Sequence, residues 1–269
     1  MRSAPARPMP ETAIHPSAIV EPGAVLGRGV RIGPFCHVGP LVRLGDGVEL
    51  KSHVVVAGDT EIGPETVVFP FACIGEVPQD LKFQGERTRL VIGARNRIRE
   101  YVTMNPGTAG GGGLTQVGDD GLFMACSHVA HDCRIGNHVI LVNSVAVAGH
   151  CVLEDEVIVG GLSGVHQFVR IGRGAMIGAL TMVTADVLPH ALVSGPRGQL
   201  EGLNLVGLKR RGAGRAEIAA LRDLLAALGA GSFRETARLR AADEVTPMER
   251  EVLDFILGPS DRSFLRPQG

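Results

Sequence analysis

Tryptophan is absent from this chain, tyrosine occurs once, and aromatic residues fill only 4% of 269 positions. A core so poor in large rings must be built from aliphatic side chains, which suits a narrow interior. Charge of one sign is also lacking. Against 27 Lys and Arg stand 28 Asp and Glu, a formal net charge of −1, so no electrostatic case exists for a nucleic-acid partner. No apolar run reaches the length of a membrane-spanning helix. The N-terminus lacks the charged-then-apolar pattern of a secretory signal, and a cytoplasmic protein without stable membrane insertion is expected. Five cysteines contain no C-x-x-C pair, which argues against the common zinc and redox spacings.

What the chain does have is a period of six. An aliphatic residue recurs at Ile14, Val20, Leu26, Ile32, Val38, Leu44, Leu50, Val56, Ile62, Val68 and Ile74 without a slip. A second run goes from Val117 and Phe123 through Val129, Ile135, Leu141, Val147, Leu153, Val159, Val165, Ile171 and Ile177 to Val183. Two places before the hits stand small or β-branched residues such as Ala18, Val30, Ser127 and Val157. A period of six fits neither an α-helix nor a simple alternating strand, and accidental spacing in a β-sandwich would not hold phase for so long. It is the pattern of a parallel β-helix in which three hexapeptides make one triangular coil. Residue n then lies nearly under residue n+18, with coils stacked at roughly 4.8 Å. Glycine often follows the hit (Gly27, Gly33, Gly45, Gly63, Gly136, Gly172, Gly178), read as relief for turns that need positive φ. Cys36, Cys133 and Cys151 fall on the small inward position and read as buried hydrophobes.

A short run at Ile92, Ile98 and Met104 joins the two long ones. The stretches 75–91 and 105–116 break phase and read as loops thrown out of the coil, the first carrying Glu76, Asp80, Lys82, Glu86, Arg87 and Arg89. From about Gly214 the period moves toward 3.6: Ile218, Leu221, Leu224, Leu225 and Leu228 form one stripe closed by Gly229. Ser232 with Glu235, and Thr246 with Glu249 behind Pro247, match capping boxes. Two or three helices are expected across 215–257, with a frayed tail after Pro259. The predicted fold is mainly β. A left-handed parallel β-helix over 12–195 precedes a connecting segment and small α-helical C-terminal domain over 196–269.

His128, His131, His150 and His166 gather in the second run, and none falls on an inward hit. A single histidine on a turn is ordinarily a solvated one; four on one edge point to a site. The column rule stacks His131, Gly149 and Gln167, with His150 and His166 beside the upper two. His131 is followed by Asp132, and a histidine oriented by a carboxylate is a competent general base. Gly149 can offer its N–H to a developing oxyanion. The set fits acyl transfer directly between substrates, since no serine or cysteine nucleophile stands beside a matched base.

The segments IGEVPQDLKFQGE (74–86), GGGLT (111–115), HVAHDC (128–133), AGH (148–150), VHQF (165–168) and NLVGLKRRG (204–212) resemble the UDP-N-acetylglucosamine O-acyltransferase family, in order and in spacing. The resemblance runs from about residue 12 through the C-terminal helices. It implies the first acylation of lipid A biosynthesis, in which an (R)-3-hydroxyacyl group passes from acyl carrier protein to the 3-hydroxyl of UDP-N-acetylglucosamine. It also implies a homotrimer with sites between subunits, and no metal or other cofactor. It makes His131 the base, Asp132 its support and Gly149 the oxyanion donor. Asp80, Lys82 and His128 match the family's sugar-binding positions, with Gln79 beside them. His150 and His166 line the site, with Gln167 near the diphosphate or nucleotide side; Asn204, Arg210 and Arg211 meet nucleotide and phosphate. The 75–91 loop is read as reaching a neighbouring subunit's histidines. Arg97, Arg99, Lys209, Arg210 and Arg211 are candidates for meeting the acidic carrier.

The chain departs from the family at three places. Val206 stands where glutamate often follows the asparagine. Met104-Asn105-Pro106-Gly107 replaces I-H-R-G and removes a histidine. Ala179 stands at the family's acyl-chain ruler. Three other readings remain. A zinc enzyme of the γ-carbonic-anhydrase type needs three converging histidines. The N-acyltransferase of the same pathway normally carries an additional N-terminal domain, for which hexads beginning at Ile14 leave no room. A non-catalytic scaffold would not need the histidine–aspartate pair.

The methyl of Ala179, relative to glycine, shortens the acyl groove and predicts a preference for medium-length 3-hydroxyacyl chains. A series of acyl carrier proteins differing only in chain length measures this; fastest transfer of the fourteen-carbon donor would contradict it.

Overall fold

The computed structural model describes residues 11–266. The segment on which the secretory-signal reading rests, 1–10, and the last three positions of the 196–269 part lie outside the described residues. Hexads do form short parallel strands, stacked into sheets of eleven, nine and eight strands that are the three faces of a prism. The fold is the expected left-handed parallel β-helix, mainly β, with four helices after it. The register is the expected eighteen: Ala13 pairs with Arg31 and Ile140 with Ile158. Across the first inserted loop the register grows to thirty, with Val67 opposite Arg97. Across the second it grows to twenty-five, with Thr103 opposite His128. Both loops are shorter than the phase break indicates. Arg89–Ile92 and Leu114–Val117 are strands of the eight-stranded sheet, so only 75–88 and 105–113 leave the coil.

Inward hits from Ile32 onward are buried, whereas Ile14, on the first coil among the described residues, is 45% exposed. Cys36, Cys133 and Cys151 are buried as expected, and each thiol donates to a carbonyl fifteen residues on: Lys51, Ala148 and His166. The glycines after the hits have a different reason from the one expected. They do not have positive φ; that conformation belongs to the residue two places later, as at Phe35, Glu65, His138 and Leu180. A left-handed residue costs roughly 1–2 kcal/mol. Here most are held by an N–H bond to the coil before, such as His53 to Pro34 O (2.9 Å) and His150 to His131 O (3.0 Å). The glycines are there because neighbouring coils touch. A Cβ on Gly33 would lie 2.4 Å from Lys51 O, and one on Gly172 2.4 Å from Pro189 N.

The last coil ends in an antiparallel hairpin, Ala191–Ser194 with Gln199–Leu203. Helix α1 (Leu205–Arg210), too short to show a periodicity, is capped by the Asn204 side chain accepting from Gly207 N–H at 3.0 Å. Helices α2 (Arg215–Gly229), α3 (Phe233–Arg240) and α4 (Pro247–Leu257) follow. The α2 stripe buries Ile218, Leu221, Leu224 and Leu228, with Leu225 half-buried; Gly229 is its last helical residue and Ala230 its cap. The Thr246–Glu249 capping box is complete, but the Ser232 hydroxyl makes no cap bond. There the backbone serves instead, Ser232 O accepting from Thr236 N–H at 2.9 Å. Nor is the chain frayed directly after Pro259. Phe264 stacks on Phe233 at 5.4 Å, and Leu265 N–H donates to Asp186 O at 2.9 Å.

Ile135 points into the prism at 3% exposure, while Arg134 beside it points out. Ile135→Ala is expected to lower stability by about 2–5 kcal/mol, and Arg134→Ala by at most about 0.5 kcal/mol, measured by denaturant unfolding.

Candidate active site

Three kinds of corner join the faces. One carries Phe35, His53, Phe71 and Tyr101 in a ring stack spaced 4.8–5.0 Å. A second carries charge, including Asp46, Glu65, Arg95, Asp120 and Glu156. The third, between the nine- and eight-stranded sheets, emits both inserted loops and holds His131, Asp132, Gly149, His150, His166 and Gln167.

The column rule works here to atomic detail. Gly149 lies on His131: a Cβ there would stand 2.6 Å from His131 Cε1 and 2.7 Å from Nε2. His131 Nδ1 sits 2.8 Å from Asp132 Oδ2, so its proton faces the carboxylate and Nε2 keeps a lone pair. His131 and Asp132 are only 6% and 7% exposed, a burial that turn residues do not ordinarily reach. The second loop is the reason. Its Thr108 donates N–H to Asp132 Oδ1 (2.9 Å) and its hydroxyl to Oδ2 (2.7 Å). Gly111 lets the loop close on this carboxylate, since a Cβ would fall 2.0 Å from its carbon. Asp132 N–H donates in turn to Thr115 Oγ1 at 2.8 Å. A carboxylate this buried needs such donors.

His150 meets His131 edge-on at 5.0 Å and stacks on Phe168 at 4.5 Å. Burial lowers its basicity, partly offset by Asp132. The charges of Asp80 and Lys82 act on it too, so the first loop lies near this chain's own histidine edge. Gln79 and Lys82 are exposed in that loop and Asp80 half-buried, its carboxylate accepting from Lys82 N–H at 3.0 Å. His128 lies on the adjoining face, its Nδ1 2.7 Å from Thr103 Oγ1; burial, then the neighbouring His131, lowers its basicity. Arg262 of the C-terminal tail places Nη2 2.9 Å from His166 Nδ1, and Gln167 beside it is exposed. Asn105 is buried and donates to Glu76 O (3.0 Å) and Val77 O (3.3 Å), tying the two loops together.

Other expected residues lie elsewhere. Asn204 Nδ2 donates to Gly174 O at 3.1 Å, and Arg211 lies against Gly174 and Glu156, both on the charged corner. Arg210 is exposed on α1, as is Val206, whose side chain is 61% exposed. Ala179 is exposed on the corner that bears the ring stack. One chain therefore does not bring Asn204, Arg211 or Ala179 to His131. Thr108 and Gly111 escape the sequence reading because an inserted loop has no column, and Thr115 because the phase break hides its short strand; Phe168 lies eighteen residues after His150, within reach of the column rule.

Among the described residues one group has metal-ligand geometry: His131, Asp132 and His150, with ligand atoms within 4.8 Å of one another. It does not fit a three-histidine zinc site. Its third member is a carboxylate already taken by Thr108 and His131, and His128 is engaged by Thr103.

A family model described as UDP N-acetylglucosamine O-acyltransferase, domain 2, matches residues 186–265. The acyl-[acyl-carrier-protein]–UDP-N-acetylglucosamine O-acyltransferase of Paracoccus denitrificans is 82% identical over 201 residues, 75% of this chain and 77% of its own. That of Rhizobium leguminosarum bv. trifolii is 53% identical over 220 residues, 80% of each chain. A solved UDP-N-acetylglucosamine acyltransferase, 41% identical, superposes with a TM-score of 0.91 over 95% of this chain and 99% of its own. The enzyme from Campylobacter jejuni, 37% identical, does so at 0.89 over 95% and 100%.

Gly149→Ala is expected to push the His131 ring aside and to lower kcat by at least about 10²-fold, as loss of an aligned base does, while the thermal midpoint moves by only a few degrees. Steady-state kinetics and calorimetry on the same preparation check both.

Proposed function

The chain belongs to the UDP-N-acetylglucosamine O-acyltransferase family, and from that premise we propose how its own residues divide the work. It is an acyltransferase that moves an acyl chain from acyl carrier protein to UDP-N-acetylglucosamine, the first step of lipid A biosynthesis. In our reading the transferred group is an (R)-3-hydroxyacyl chain and the acceptor is the sugar 3-hydroxyl. His131 Nε2 takes the hydroxyl proton while Asp132 steadies the imidazolium through Nδ1. The oxygen attacks the thioester carbonyl, and Gly149 N–H holds the oxyanion. Among the described residues that N–H has no acceptor, which leaves it free for this role. The tetrahedral intermediate collapses with cleavage of the C–S bond, and the departing carrier thiolate takes from the His131 imidazolium the proton that came from the sugar hydroxyl.

The observation that carries this reading is the buried His131–Asp132 pair at 2.8 Å with Gly149 stacked on its ring. Burial lowers the basicity of the neighbouring histidines His128 and His150, which favours the neutral imidazole suited to hydrogen bonding with the sugar. Gln79, Asp80 and Lys82 serve the same side; His166 and Gln167 face the nucleotide. Asn204, Arg210 and Arg211 meet nucleotide and diphosphate, for which paired guanidinium donors are suited. Because Asn204 and Arg211 occupy a different corner from His131, we read the active form as a homotrimer in which two copies complete each site. Residues 12–195 act as the catalytic prism and 196–269 as its connecting and helical part. Among the described residues no helix is long and apolar enough to cross a membrane. We place the enzyme in the cytoplasm with its carrier protein.

Transfer from 3-hydroxyacyl carrier proteins to UDP-N-acetylglucosamine tests the reading. His131→Ala is expected to lose about 10²–10⁴-fold in kcat/KM with its fold intact. A variant retaining wild-type turnover would remove His131 as the base.

A further inference from the structure

His190 closes the final turn of the coil stack. It is 1% exposed, has φ of 61°, and donates its N–H to Arg173 O at 2.8 Å. Both ring nitrogens are engaged. Nε2 lies 2.9 Å from Glu251 Oε2 of α4, and Nδ1 lies 3.0 Å from Arg211 Nη2 at the end of α1. A neutral imidazole protonated on Nε2 satisfies both partners at once, donating to the carboxylate and accepting from the guanidinium. Among the described residues the Arg211 guanidinium is otherwise held only by Glu156, whose Oε2 lies 3.5 Å from Nη1, and its buried Nε has no partner.

We propose that His190 is a positioning residue for the sugar nucleotide: it fixes the Arg211 guanidinium in the orientation that receives the diphosphate and ties that orientation to the docking of α4 through Glu251. The proposal rests on the reading of Arg211 as a nucleotide contact. Without an acceptor at Nδ1, the carboxylate of Glu156 is the remaining strong partner, and a fork turned onto it is both redirected and partly neutralised. A guanidinium already fixed loses less freedom when the diphosphate arrives, so the gain is in binding. Nothing in the arrangement touches the reacting atoms.

The arrangement also has a pH sense. The groups facing His190 are Arg211 at the end of α1, Glu251 from α4 and Arg173 from the same corner of the preceding coil. Burial and then the charge of Arg211 hold the imidazole below the usual histidine range, against the pull of Glu251. A folded-state value that is depressed means stability is present above the unfolded histidine range and falls as pH drops through it. Once protonated, His190 has no lone pair for Arg211 and repels it.

The test compares His190→Phe, His190→Asn and Arg211→Ala, each checked for the wild-type melting point and oligomeric state. Phenylalanine keeps the ring and tolerates this backbone, as Phe35, Phe71 and Phe168 show at the same left-handed turn position. Asparagine also tolerates it and restores an acceptor near Nδ1. His190→Phe is expected to raise KM for UDP-N-acetylglucosamine about tenfold with kcat within about twofold. His190→Asn should stay near wild type. Wild-type KM should climb as pH falls below the ordinary histidine range, and this climb should disappear in His190→Asn. If Arg211→Ala raises KM while His190→Phe does not, the positioning role is overturned and the nucleotide reading survives. If Arg211→Ala leaves KM unchanged, the nucleotide reading fails and the proposal with it. Equal losses in the Phe and Asn variants, or a fall in kcat alone, mark a merely structural role. Should His190→Phe not fold, the pH dependence of KM in wild type against His190→Asn decides.

Discussion

Every coil hangs on its neighbour through backbone N–H···O=C bonds, and almost everything else follows from keeping that ladder unbroken. The ladder fixes the register at eighteen residues, which leaves each corner a set number of residues in which to turn. It puts a left-handed residue into most turns and secures most of these with a bond to the coil before. It brings backbones so close after the strands that only glycine fits at Gly33 or Gly172. Side chains of equal rank are stacked into columns, and the three corners acquire separate characters: rings, charges and the histidine edge. Burial of the aliphatic columns drives the assembly, but the ladder decides what lies over what.

The histidine edge shows what the ladder alone cannot supply. Its columns bring Gly149 onto His131, yet a turn residue would normally be wet and loosely oriented. The loop 105–113 changes that by wrapping Asp132 with Thr108 and packing glycines against the carboxylate. The carboxylate accepts from two donors of Thr108 and one of His131, which offsets the cost of its burial. The general base is thus oriented by a carboxylate that is itself held in place by a segment outside the repeat.

Legibility in the sequence follows the same division. Hexads fix the prism, the inward cysteines and the His131–Gly149 stack, because a strict period converts chain distance into space. The helical stripe of α2 and the Thr246 cap are readable for the same kind of reason. Errors gather where the period ends. The roles of Thr108 and Asn105 were hidden in segments that have no column. One departure lies inside the period: the glycines after the hits suggest turn conformation, whereas coil-to-coil contact is what demands them. Ser232 has the composition of a capping box without its bond, and the tail past Pro259 is held by Phe264 and Asp186, partners that only the tertiary structure introduces. Asn204 and Arg211 were identifiable by motif, but their corner was not, since α1 is too short to show a face.

The inserted loops both leave the prism at one corner, and the strands on either side resume in phase, with registers of thirty and twenty-five in place of eighteen. The core is therefore blind to length at that point. Segments of any size can be added or exchanged there without moving an inward side chain, whereas one residue added inside a strand would turn the apolar column outward. Chemistry and stability are in this way made nearly independent in heredity: a repeat that tolerates little change in its hexads leaves open a single seam, and along that seam new catalytic parts can be acquired without the scaffold being redesigned.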